Sequence, residues 1–290
     1  MSLSIPTGLN QLLQTESGQR WFSDLPQIVS ALCDKWNLVL GEPYNSSTVS
    51  YTVPATQLES EVVLKIQWPH DECVFEADAL QVWNGHGAVK LLECDRDRSA
   101  LLLERCNPGI NLGNADIEDK LKPLILILEK LFMPTSGPFK TLGAEAREWQ
   151  QGMYEKWEQA GCKLEQRFVD LAIKFIDELV DSQGEQVLTH QDLHGGNVLS
   201  SDQQQWLAID PKPLIAEREF AIAPIVRSFE LGHSREQVLA RLHRLCKELE
   251  LDVERARKWT IAQTVAWNLD GGTYPQHLET VTWLIDSETA

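Results

Sequence analysis

The feature that most constrains the fold is a change of pattern at the turn sequence NPG, which spans Asn107 to Gly109. Before this turn, β-branched and apolar runs alternate with polar turns, which is typical of strands. Beyond it, most segments carry apolar residues at helical spacing. The sequence therefore predicts an α+β fold with two lobes. A small β-rich lobe with one key helix occupies residues 1–106, and a larger, mostly helical lobe occupies residues 107–290.

The first lobe is predicted to follow the order strand, strand, helix, strand, strand. The run YTVPATQLESEVVLKIQW, residues 51–68, has two β-type segments around a polar turn and predicts an antiparallel hairpin. Residues 71–85 have apolar positions at helical spacing and end on the stop signal Asn84-Gly85. Residues 88–94 and 99–106 are strand-like and are separated by a charged turn.

Charge and composition narrow the set of partners. The net charge is −17 and the pI is about 4.8, so the chain repels the phosphates of nucleic acids and of anionic lipids and suits a cationic small molecule. The cysteines form no CxxC pair, the N-terminal segment lacks the features of a signal peptide, and the most apolar stretch is too short to span a bilayer. We expect a cytoplasmic protein that binds a small molecule, without nucleic acid or membrane. The sequence carries no signal for its oligomeric state.

The segment LTHQDLHGGNVLS, residues 188–200, concentrates polar groups between two apolar ends. One hypothesis is a metal centre, because alternation along an extended segment would place His190, Asp192 and His194 on one face. A hydrolytic two-metal site needs further ligands, and the remaining histidines form no second cluster. The metal hypothesis is therefore the weaker of the two that this segment allows.

The stronger hypothesis is phosphoryl transfer, since His190, Asp192 and Asn197 match H-x-D-x-x-x-x-N, the catalytic-loop pattern of the kinase fold. In this pattern the aspartate accepts the proton of the attacking hydroxyl, and the asparagine gives a neutral oxygen to Mg²⁺. A β-like insertion follows at residues 197–210 and ends on Asp210, which suits the second, anionic ligand of the metal.

Two residues of the first lobe complete the kinase pattern. Lys65 lies in VVLKI, a strand setting like that of the V-A-I-K lysine that contacts the phosphates of ATP. Glu76 follows on the predicted helix and could pair with it. Each residue alone is more often an ordinary surface charge, but the elements occur in the right order and on the right kinds of structure.

The chain resembles the aminoglycoside phosphotransferase family of the streptomycin 6-kinase and hydroxyurea kinase type. The resemblance covers most of the chain and is carried by VVLKIQWPHDECVFEADAL, by HQDLHGGNVL and by AIDPKPLIAEREFAIAPIVR. It implies a protein-kinase-like fold and an enzyme that uses ATP and Mg²⁺ to phosphorylate a hydroxyl group. The leading acceptor is a streptomycin-like aminoglycoside.

Carried over by position, the family motifs imply a role for each matching residue. In the second lobe, Asp192 is the catalytic base, and Asn197 and Asp210 are the magnesium ligands. In the first lobe, Lys65 contacts the phosphates and Glu76 orients it. The resemblance also implies an adenine-binding hinge from Glu104 to Cys106, and a nucleotide-covering loop in which Ser46 and Ser47 replace the usual glycines.

The chain also departs from the family pattern at three positions. Where the family commonly has HGDLHPGN, this chain has Gln191 and Gly195, and Ala221 stands where an aspartate often follows EREF. These departures keep open a weakly active, nucleotide-binding pseudokinase. A metabolic kinase acting on another small hydroxylated compound is a further alternative.

Three carboxylates are candidate contacts for the ammonium or guanidinium groups of a cationic acceptor, near the cleft of the second lobe. They are Glu217, Glu219 and Asp270. Taken alone, each of them is more often a solvated surface charge.

Overall fold

The computed structural model of the chain describes residues 3–202, 206–271 and 274–287. Its internal contacts divide it into two compact units, Met1–Gly109 and Ile110–Ala290. The division falls at the end of the NPG turn, and the boundary expected from the sequence lies at the start of the same turn. None of the helices in the described part of the chain is long and apolar enough to cross a membrane.

The first unit is built on a five-stranded antiparallel sheet with the strand order β1-β2-β3-β5-β4. Its strands are β1 (Leu38–Leu40), β2 (Ser50–Gln57), β3 (Ser60–Gln67), β4 (Leu91–Asp95) and β5 (Ala100–Glu104). The predicted hairpin is confirmed, because β2 and β3 pair in antiparallel register, with Tyr51 opposite Ile66. The two later strand predictions are confirmed by β4 and β5.

Two helices accompany this sheet, α1 (Glu16–Trp36) and α2 (Glu76–Trp83). Helix α1 begins where Thr15 Oγ1 accepts a hydrogen bond from the N–H of Gly18 at 3.0 Å, and it contributes buried apolar side chains to a core shared with β2 and β3. Helix α2 ends where Asn84 adopts the left-handed conformation, with φ of 44°, as the Asn-Gly stop signal predicts.

The second unit is mainly helical. Its helices are α3 (Leu121–Leu131), α4 (Leu142–Gln159), α5 (Gln166–Val180), α6 (Arg218–Ala221), α7 (Ala223–Arg227), α8 (Arg235–Glu248), α9 (Val253–Gly271) and α10 (Pro275–Asp286). The remaining strands are β6 (Pro108–Asn111), β7 (Gln186–Thr189), β8 (Val198–Ser201), β9 (Trp206–Ala208) and β10 (Leu214–Glu217). They form a sheet of order β6-β8-β9 and an antiparallel pair of β10 with β7.

The β-like insertion predicted in the helical part of the chain is confirmed by the antiparallel pairing of β8 with β9. Its predicted polar turn includes residues 203–205, which lie outside the described residues. The hairpin positions the site, since β8 begins directly after Asn197 and β9 ends shortly before Asp210.

Helix α9 lies at the centre of the second unit and packs against α4, α5, α6, α7, α8 and α10. Its middle is buried on all sides, and the buried residues include Trp259, Ile261, Ala262 and Val265. A helix that is buried all round cannot carry a single apolar stripe, which explains why polar side chains such as Gln263 also lie inside. Gln263 accepts a hydrogen bond from Arg227 and donates one to the carbonyl of Gln191, while Thr260 and Thr264 donate to backbone carbonyls of α9 itself.

Candidate active site

In the first unit the structure brings together Lys65 and Glu76, as the sequence led us to expect. Lys65 Nζ lies 2.8 Å from both carboxylate oxygens of Glu76, and both side chains are buried. Gln67 Nε2 also donates to Glu76 Oε2 at 2.5 Å. The pair joins β3 to the first residue of α2, so the position of the ammonium group depends on how this helix packs.

The other expected nucleotide contacts of the first unit lie in two places. Ser46 is exposed, and Ser47 Oγ lies 2.7 Å from the hydroxyl of Ser50 in the segment that precedes β2. At the end of β5, Glu104 Oε1 accepts the N–H of Lys90 at 2.6 Å. Burial and the nearby charge of Glu104 raise the pKa of the Cys106 thiol to about 12, so this thiol is a neutral side chain at neutral pH.

The segment HQDLHGGN of the second unit forms a tight turn that is closed by its own hydrogen bonds. The N–H of Asp192 donates to the carbonyl of His190 at 2.8 Å, and Asn197 Nδ2 donates to the carbonyl of Asp192 at 2.9 Å. Gln191 has φ of 62°, a left-handed conformation that glycine adopts without strain. At this first departure from the family pattern, the chain holds Gln191 through a hydrogen bond from Gln263 to its carbonyl at 3.3 Å.

Asn197 and Asp210 lie next to each other because of the β8–β9 hairpin. The carbonyl of Asn197 accepts the N–H of Ile209 at 2.9 Å, which places Asp210 one residue beyond this bond. The amide nitrogen of Asn197 is used by Asp192, so its side-chain oxygen is the atom left to face a metal ion. One amide oxygen beside one exposed carboxylate is a donor set that fits Mg²⁺, which prefers hard oxygen ligands and keeps several waters.

The alternative metal centre formed by His190, Asp192 and His194 is not supported. His190 Nε2 donates to the carbonyl of Ile209 at 2.9 Å, and burial lowers the pKa of this imidazole to about 4. His194 Nδ1 donates to Glu230 Oε1 at 3.0 Å. The described ranges contain no group of three or more His, Cys, Asp or Glu side chains that could hold a metal ion.

Asp192 has a charged neighbour that the sequence analysis did not name. Lys212 Nζ, from the turn after Asp210, lies 3.6 Å from Asp192 Oδ2 and 4.9 Å from the ring centre of Trp267. The Asp192 side chain is about one-fifth exposed, at 21 %. The carboxylate is therefore accessible while a cation and a fixed turn hold it in place.

The Gly195-Gly196 turn is held on both sides by side chains from distant segments. The N–H of Gly196 donates to Glu230 Oε1 at 3.0 Å, and its carbonyl accepts Asn111 Nδ2 at 2.6 Å. A Cβ atom on Gly195 would lie 2.8 Å from Glu230 Oε1 and 3.0 Å from the backbone nitrogen of Gly113, so a larger residue there requires the Glu230 carboxylate to move. The second departure from the family pattern thus has a steric cause.

His194 and Glu230 each shift the pKa of the other towards its charged form. Burial alone would lower the pKa of His194, but the hydrogen bond that it donates to Glu230 and the charges of Asp192 and Glu230 outweigh burial and raise it. Burial acts against the charged form of Glu230 as well, but the bonds from His194 and from Gly196 lower the pKa of this carboxyl. Both shifts favour the charged form of the group concerned.

A cavity of about 350 Å³ opens beside Asp192 and His194. Its charged walls are Arg227 and Glu230, and its aromatic wall is formed by Trp267, Phe229, Tyr274 and His277. Phe229 and Tyr274 are 46 % and 54 % exposed, which is unusual for large aromatic side chains and leaves their rings available to a ligand. The cavity can hold a small hydroxylated molecule next to the Asp192 carboxylate.

The sequence analysis missed every wall residue of this cavity outside the catalytic loop. Arg227 is the last residue of α7 and Phe229 follows it, Trp267 lies on α9, and Tyr274 and His277 lie at the start of α10, so no short spacing connects them. One signal was present in the sequence. Arg227 is a charged residue within the apolar run AIAPIVRSF, and such a residue is a candidate for a buried functional charge.

The three carboxylates proposed for the acceptor lie elsewhere. Glu217 is fully buried, and its carboxylate accepts Arg255 Nη2 at 2.8 Å, the N–H of Gly184 at 2.9 Å and the indole N–H of Trp259. Glu219 Oε1 accepts the N–H of Asp252 at 3.3 Å. The remaining one, Asp270, pairs with Lys156 at 2.5 Å. Among the described residues, none of the three lines the cavity.

Ala221, the third departure from the family pattern, is buried at the end of α6. Its methyl group can form neither a hydrogen bond nor an ion pair with the catalytic loop. That loop is instead supported by Asn111, Glu230 and Gln263, which contact the backbone of Gly196 and Gln191.

The comparisons with known proteins agree on one family. A family model described as aminoglycoside/hydroxyurea antibiotic resistance kinase matches residues 42–272. Streptomycin 6-kinase of Streptomyces glaucescens is 31% identical over 273 residues, which cover 89% of this chain and 87% of that protein. Hydroxyurea phosphotransferase of Kitasatospora aureofaciens is 31% identical over 265 residues, which cover 88% of this chain and 76% of that protein.

Solved structures confirm the predicted fold class. The crystal structure of choline kinase LicA from Streptococcus pneumoniae matches with a TM-score of 0.63 at 14% identity and covers 90% of this chain and 99% of that one. Aminoglycoside phosphotransferase APH(4)-Ia, in a ternary complex with ADP and hygromycin B, matches with a TM-score of 0.62 at 12% identity, covering 89% and 96%. At such identities the likeness establishes the protein-kinase-like fold alone.

Proposed function

Because the chain belongs to the aminoglycoside/hydroxyurea antibiotic resistance kinase family, we propose that it transfers the γ-phosphoryl group of ATP to a hydroxyl group of a streptomycin-like aminoglycoside. It is a phosphotransferase of the kind that acts on an alcohol group. The observation that carries the proposal is the accessible carboxylate of Asp192, fixed by its turn and by Lys212 beside a cavity of about 350 Å³.

We assign each chemical task to residues of this chain. Asp192 accepts the proton of the attacking hydroxyl, and Lys65, held by Glu76, contacts the phosphates of ATP. Asn197 and Asp210 would hold Mg²⁺, which when bound neutralises charge on the phosphates. The segments around Ser46 and Ser47 and from Glu104 to Cys106 bind the nucleotide.

The cavity walls also support a cationic, ring-containing acceptor. Glu230 and Asp192 supply negative charge, while the exposed rings of Phe229 and Tyr274 can stack on a sugar ring or face a cation. We therefore move the proposed acceptor contacts from Glu217, Glu219 and Asp270 to this cavity, because the carboxylate of Glu217 is fully engaged inside the unit and neither of the others lines the cavity.

Hydroxyurea is a second candidate acceptor, because the hydroxyurea phosphotransferase relative is as similar to this chain as the streptomycin 6-kinase of S. glaucescens, at 31% identity. The two acceptors differ in charge and size. The two carboxylates that line the cavity, Asp192 and Glu230, favour the cation. Other small hydroxylated metabolites belong in the same assay panel.

The test is an ADP-release assay with the purified chain, ATP, Mg²⁺ and either streptomycin, hydroxyurea or no acceptor, followed by mass spectrometry of the product. We expect streptomycin to gain one phosphoryl group. Asp192→Asn should lower kcat by roughly 10² to 10⁴ because the general base is lost, while calorimetric ATP binding stays unchanged.

Two outcomes would count against the proposal. Turnover of Asp192→Asn above one-third of wild type would remove this residue from the role of base. Absence of acceptor-dependent ADP release, with magnesium-dependent ATP binding intact, would instead favour the pseudokinase alternative. Lys65→Met serves as a matched control, since it should weaken ATP binding and leave the Asp192 cavity unaltered.

A further inference from the structure

Three buried arginines of the second unit, Arg227, Arg241 and Arg257, differ in how their charge is satisfied. Arg241 donates to the carbonyls of Val226, Leu231 and Gly232 at distances between 2.7 and 3.2 Å. The guanidinium of Arg257 pairs with both carboxylate oxygens of Glu254 at 2.6 and 2.7 Å. These two arginines are held by partners that explain why they are inside.

Arg227 lacks such partners. It is 5 % exposed, and its one hydrogen bond within the described residues runs from Nη1 to Gln263 Oε1. Its guanidinium lies over the ring of Trp267, 4.6 Å from the ring centre. No carboxylate of the described ranges lies within ion-pair distance of it. A guanidinium has several N–H donors, so most of its hydrogen-bonding capacity is unused.

Burying a cation without a counter-ion costs free energy, and one hydrogen bond to Gln263 and the contact with the Trp267 ring offset this cost only in part. Burial lowers the pKa of Arg227 to about 10, and only the charge of Asp192 acts in the opposite direction. The side chain therefore stays protonated at neutral pH, and burying this charge lowers the stability of the folded chain. Such a cost is typical of a functional residue whose partner arrives with the ligand.

The place of Arg227 indicates what that partner is. Its side chain lines the cavity that also contains Asp192, on the same wall as Trp267. A streptomycin-like acceptor brings positive charge and hydroxyl groups, which do not need a guanidinium. The anionic group that must reach a hydroxyl beside Asp192 is the phosphoryl group in transfer, and a planar guanidinium fits its oxygens well.

We propose that Arg227 is a catalytic residue that donates hydrogen bonds to the equatorial oxygens of the phosphoryl group as it passes to the acceptor, an inference that rests on the function proposed above. In this step the acceptor oxygen forms a bond to the γ-phosphorus while the bond from that phosphorus to the β–γ bridging oxygen breaks. The hydroxyl proton goes to Asp192, and ADP leaves with the bonding electron pair. Arg227 offsets the charge on the transferred group.

Lys212 does not supply the same interaction. Its ammonium lies 3.6 Å from Asp192 Oδ2, so its charge is directed to the base. Arg227 is held from the other side by Trp267 and Gln263, which are four residues apart on α9 and fix both the plane and one edge of the guanidinium. This arrangement leaves the opposite edge for a ligand.

The first experiment separates a catalytic role from a structural one. Arg227→Met should lower kcat by roughly 100-fold or more, because hydrogen bonds to the transition state are lost. Its KM for ATP and its melting temperature should stay close to wild type, because the variant also removes a buried unpaired charge. Arg227→Lys keeps the charge but not the planar fork, and we expect an intermediate kcat.

Arg241→Met is the matched control, since it removes a buried arginine whose bonds all go to backbone carbonyls. It should lower the melting temperature and keep most of kcat when assayed below that temperature. The proposal is overturned if Arg227→Met loses stability as Arg241→Met does while kcat at low temperature is retained. It is equally overturned if Arg227→Lys has the kcat of wild type.

The second experiment needs neither acceptor nor nucleotide. The Nε–Hε signal of Arg227, assigned in a ¹⁵N correlation spectrum by its loss in Arg227→Met, is followed during titration with inorganic phosphate. We expect a saturable shift at millimolar phosphate and none with chloride at equal ionic strength. An unchanged signal overturns the proposal.

The two experiments also separate this inference from the proposed function. A phosphate-dependent shift together with no phosphorylation of streptomycin or hydroxyurea would reject the acceptor class and keep the phosphoryl site. Active transfer to streptomycin together with an unshifted signal and a fully active Arg227→Lys would reject the role of Arg227 and keep the proposed function.

Discussion

The imidazole of His277 shows how strongly the neighbours of a single residue set its chemistry in this cavity. Burial is the main cause that lowers its pKa to about 4, and the positive charges of Arg227, His233 and His194 act in the same direction. The charge of Asp192 opposes them. The ring is therefore neutral at physiological pH and contributes an aromatic surface beside Tyr274, with ring centres 5.2 Å apart.

This lowered pKa predicts a pH dependence of stability. The unfolded chain takes up a proton on His277 as the pH falls below about 6.5, whereas the folded chain does so only near pH 4, so the free energy of unfolding falls over this range. His277→Gln should reduce the loss between pH 8 and pH 5 by about 1 kcal/mol after allowance for solvent screening. Urea unfolding at both pH values measures this, and identical losses in the two proteins would contradict it.

Sequence could reveal only those site residues that a short spacing connects. His190, Asp192 and Asn197 lie within one turn, so their pattern was readable, and the pair of Lys65 with Glu76 was readable because a strand and the next helix carry it. Arg227, Glu230, Trp267 and the start of α10 meet only through tertiary packing. Their role depends on burial and on absent partners, which no linear pattern encodes.

At the scale of elements, helix α9 connects the core of the second unit to the turn formed by the segment HQDLHGGN. Arg255, Trp259, Gln263 and Trp267 follow each other at four-residue spacing and therefore lie along one side of the helix. The first two bind the carboxylate of Glu217, and the last two contact Arg227. A shift of α9 along its axis would move Arg227 and loosen the support of Gln191 together.

Glu217 tests this role of α9 as a support. Glu217→Gln breaks the ion pair between the fully buried Glu217 carboxylate and the partly exposed Arg255, and it should lower the free energy of unfolding by about 3 kcal/mol, with no change in KM for the acceptor. Glu219→Gln is the control, since its single 3.3 Å bond predicts a loss of about 0.5 kcal/mol or less. A raised KM in Glu217→Gln with unchanged stability would return Glu217 to the acceptor site.

Helices and strands were predicted where the apolar residues recur at a regular spacing, and helices were missed where a proline interrupts or begins the segment. The hairpin of β2 and β3 and helices α3, α4, α5, α8 and α9 follow from their apolar spacing. The sequence analysis assigned no helix to α1, which contains Pro26, or to α10, which begins at Pro275. In both helices tertiary burial of an apolar side, rather than local propensity, stabilises the element.

At the scale of the whole molecule, the net charge of −17 sets a long-range field that a cationic acceptor feels before it reaches the cavity. The local charges of the cavity are mixed, since Arg227 and His194 face Asp192 and Glu230. The net charge of the protein attracts a cationic acceptor over a long range, and the mixed charges of the cavity select it at short range. These are therefore separate contributions to acceptor binding. Salt distinguishes them, because it screens the distant charges more strongly than those at the site.

We therefore predict that KM for streptomycin rises several-fold between 0.05 and about 0.5 M KCl while kcat changes little, because the Debye length falls from ~10 Å at 0.1 M towards ~3 Å at 1 M. KM for hydroxyurea, a neutral molecule, should stay constant over the same range. Steady-state kinetics at matched ATP and Mg²⁺ concentrations measure both. Equal salt dependence of the two constants would show that the net charge does not steer the acceptor.

The carboxylate of Glu230 lies between Gly113 and Gly195. The residue types that fit at these three positions therefore depend on one another. A Cβ atom on Gly113 would lie 2.8 Å from Glu230 Oε2, and one on Gly195 would meet the other oxygen of the same carboxylate at 2.8 Å. A relative that carries the common proline at the position of Gly195 can therefore not keep glutamate at the position of Glu230 in this placement. Substitutions at the two positions should be inherited together, and a library that randomises position 195 alone should return glycine.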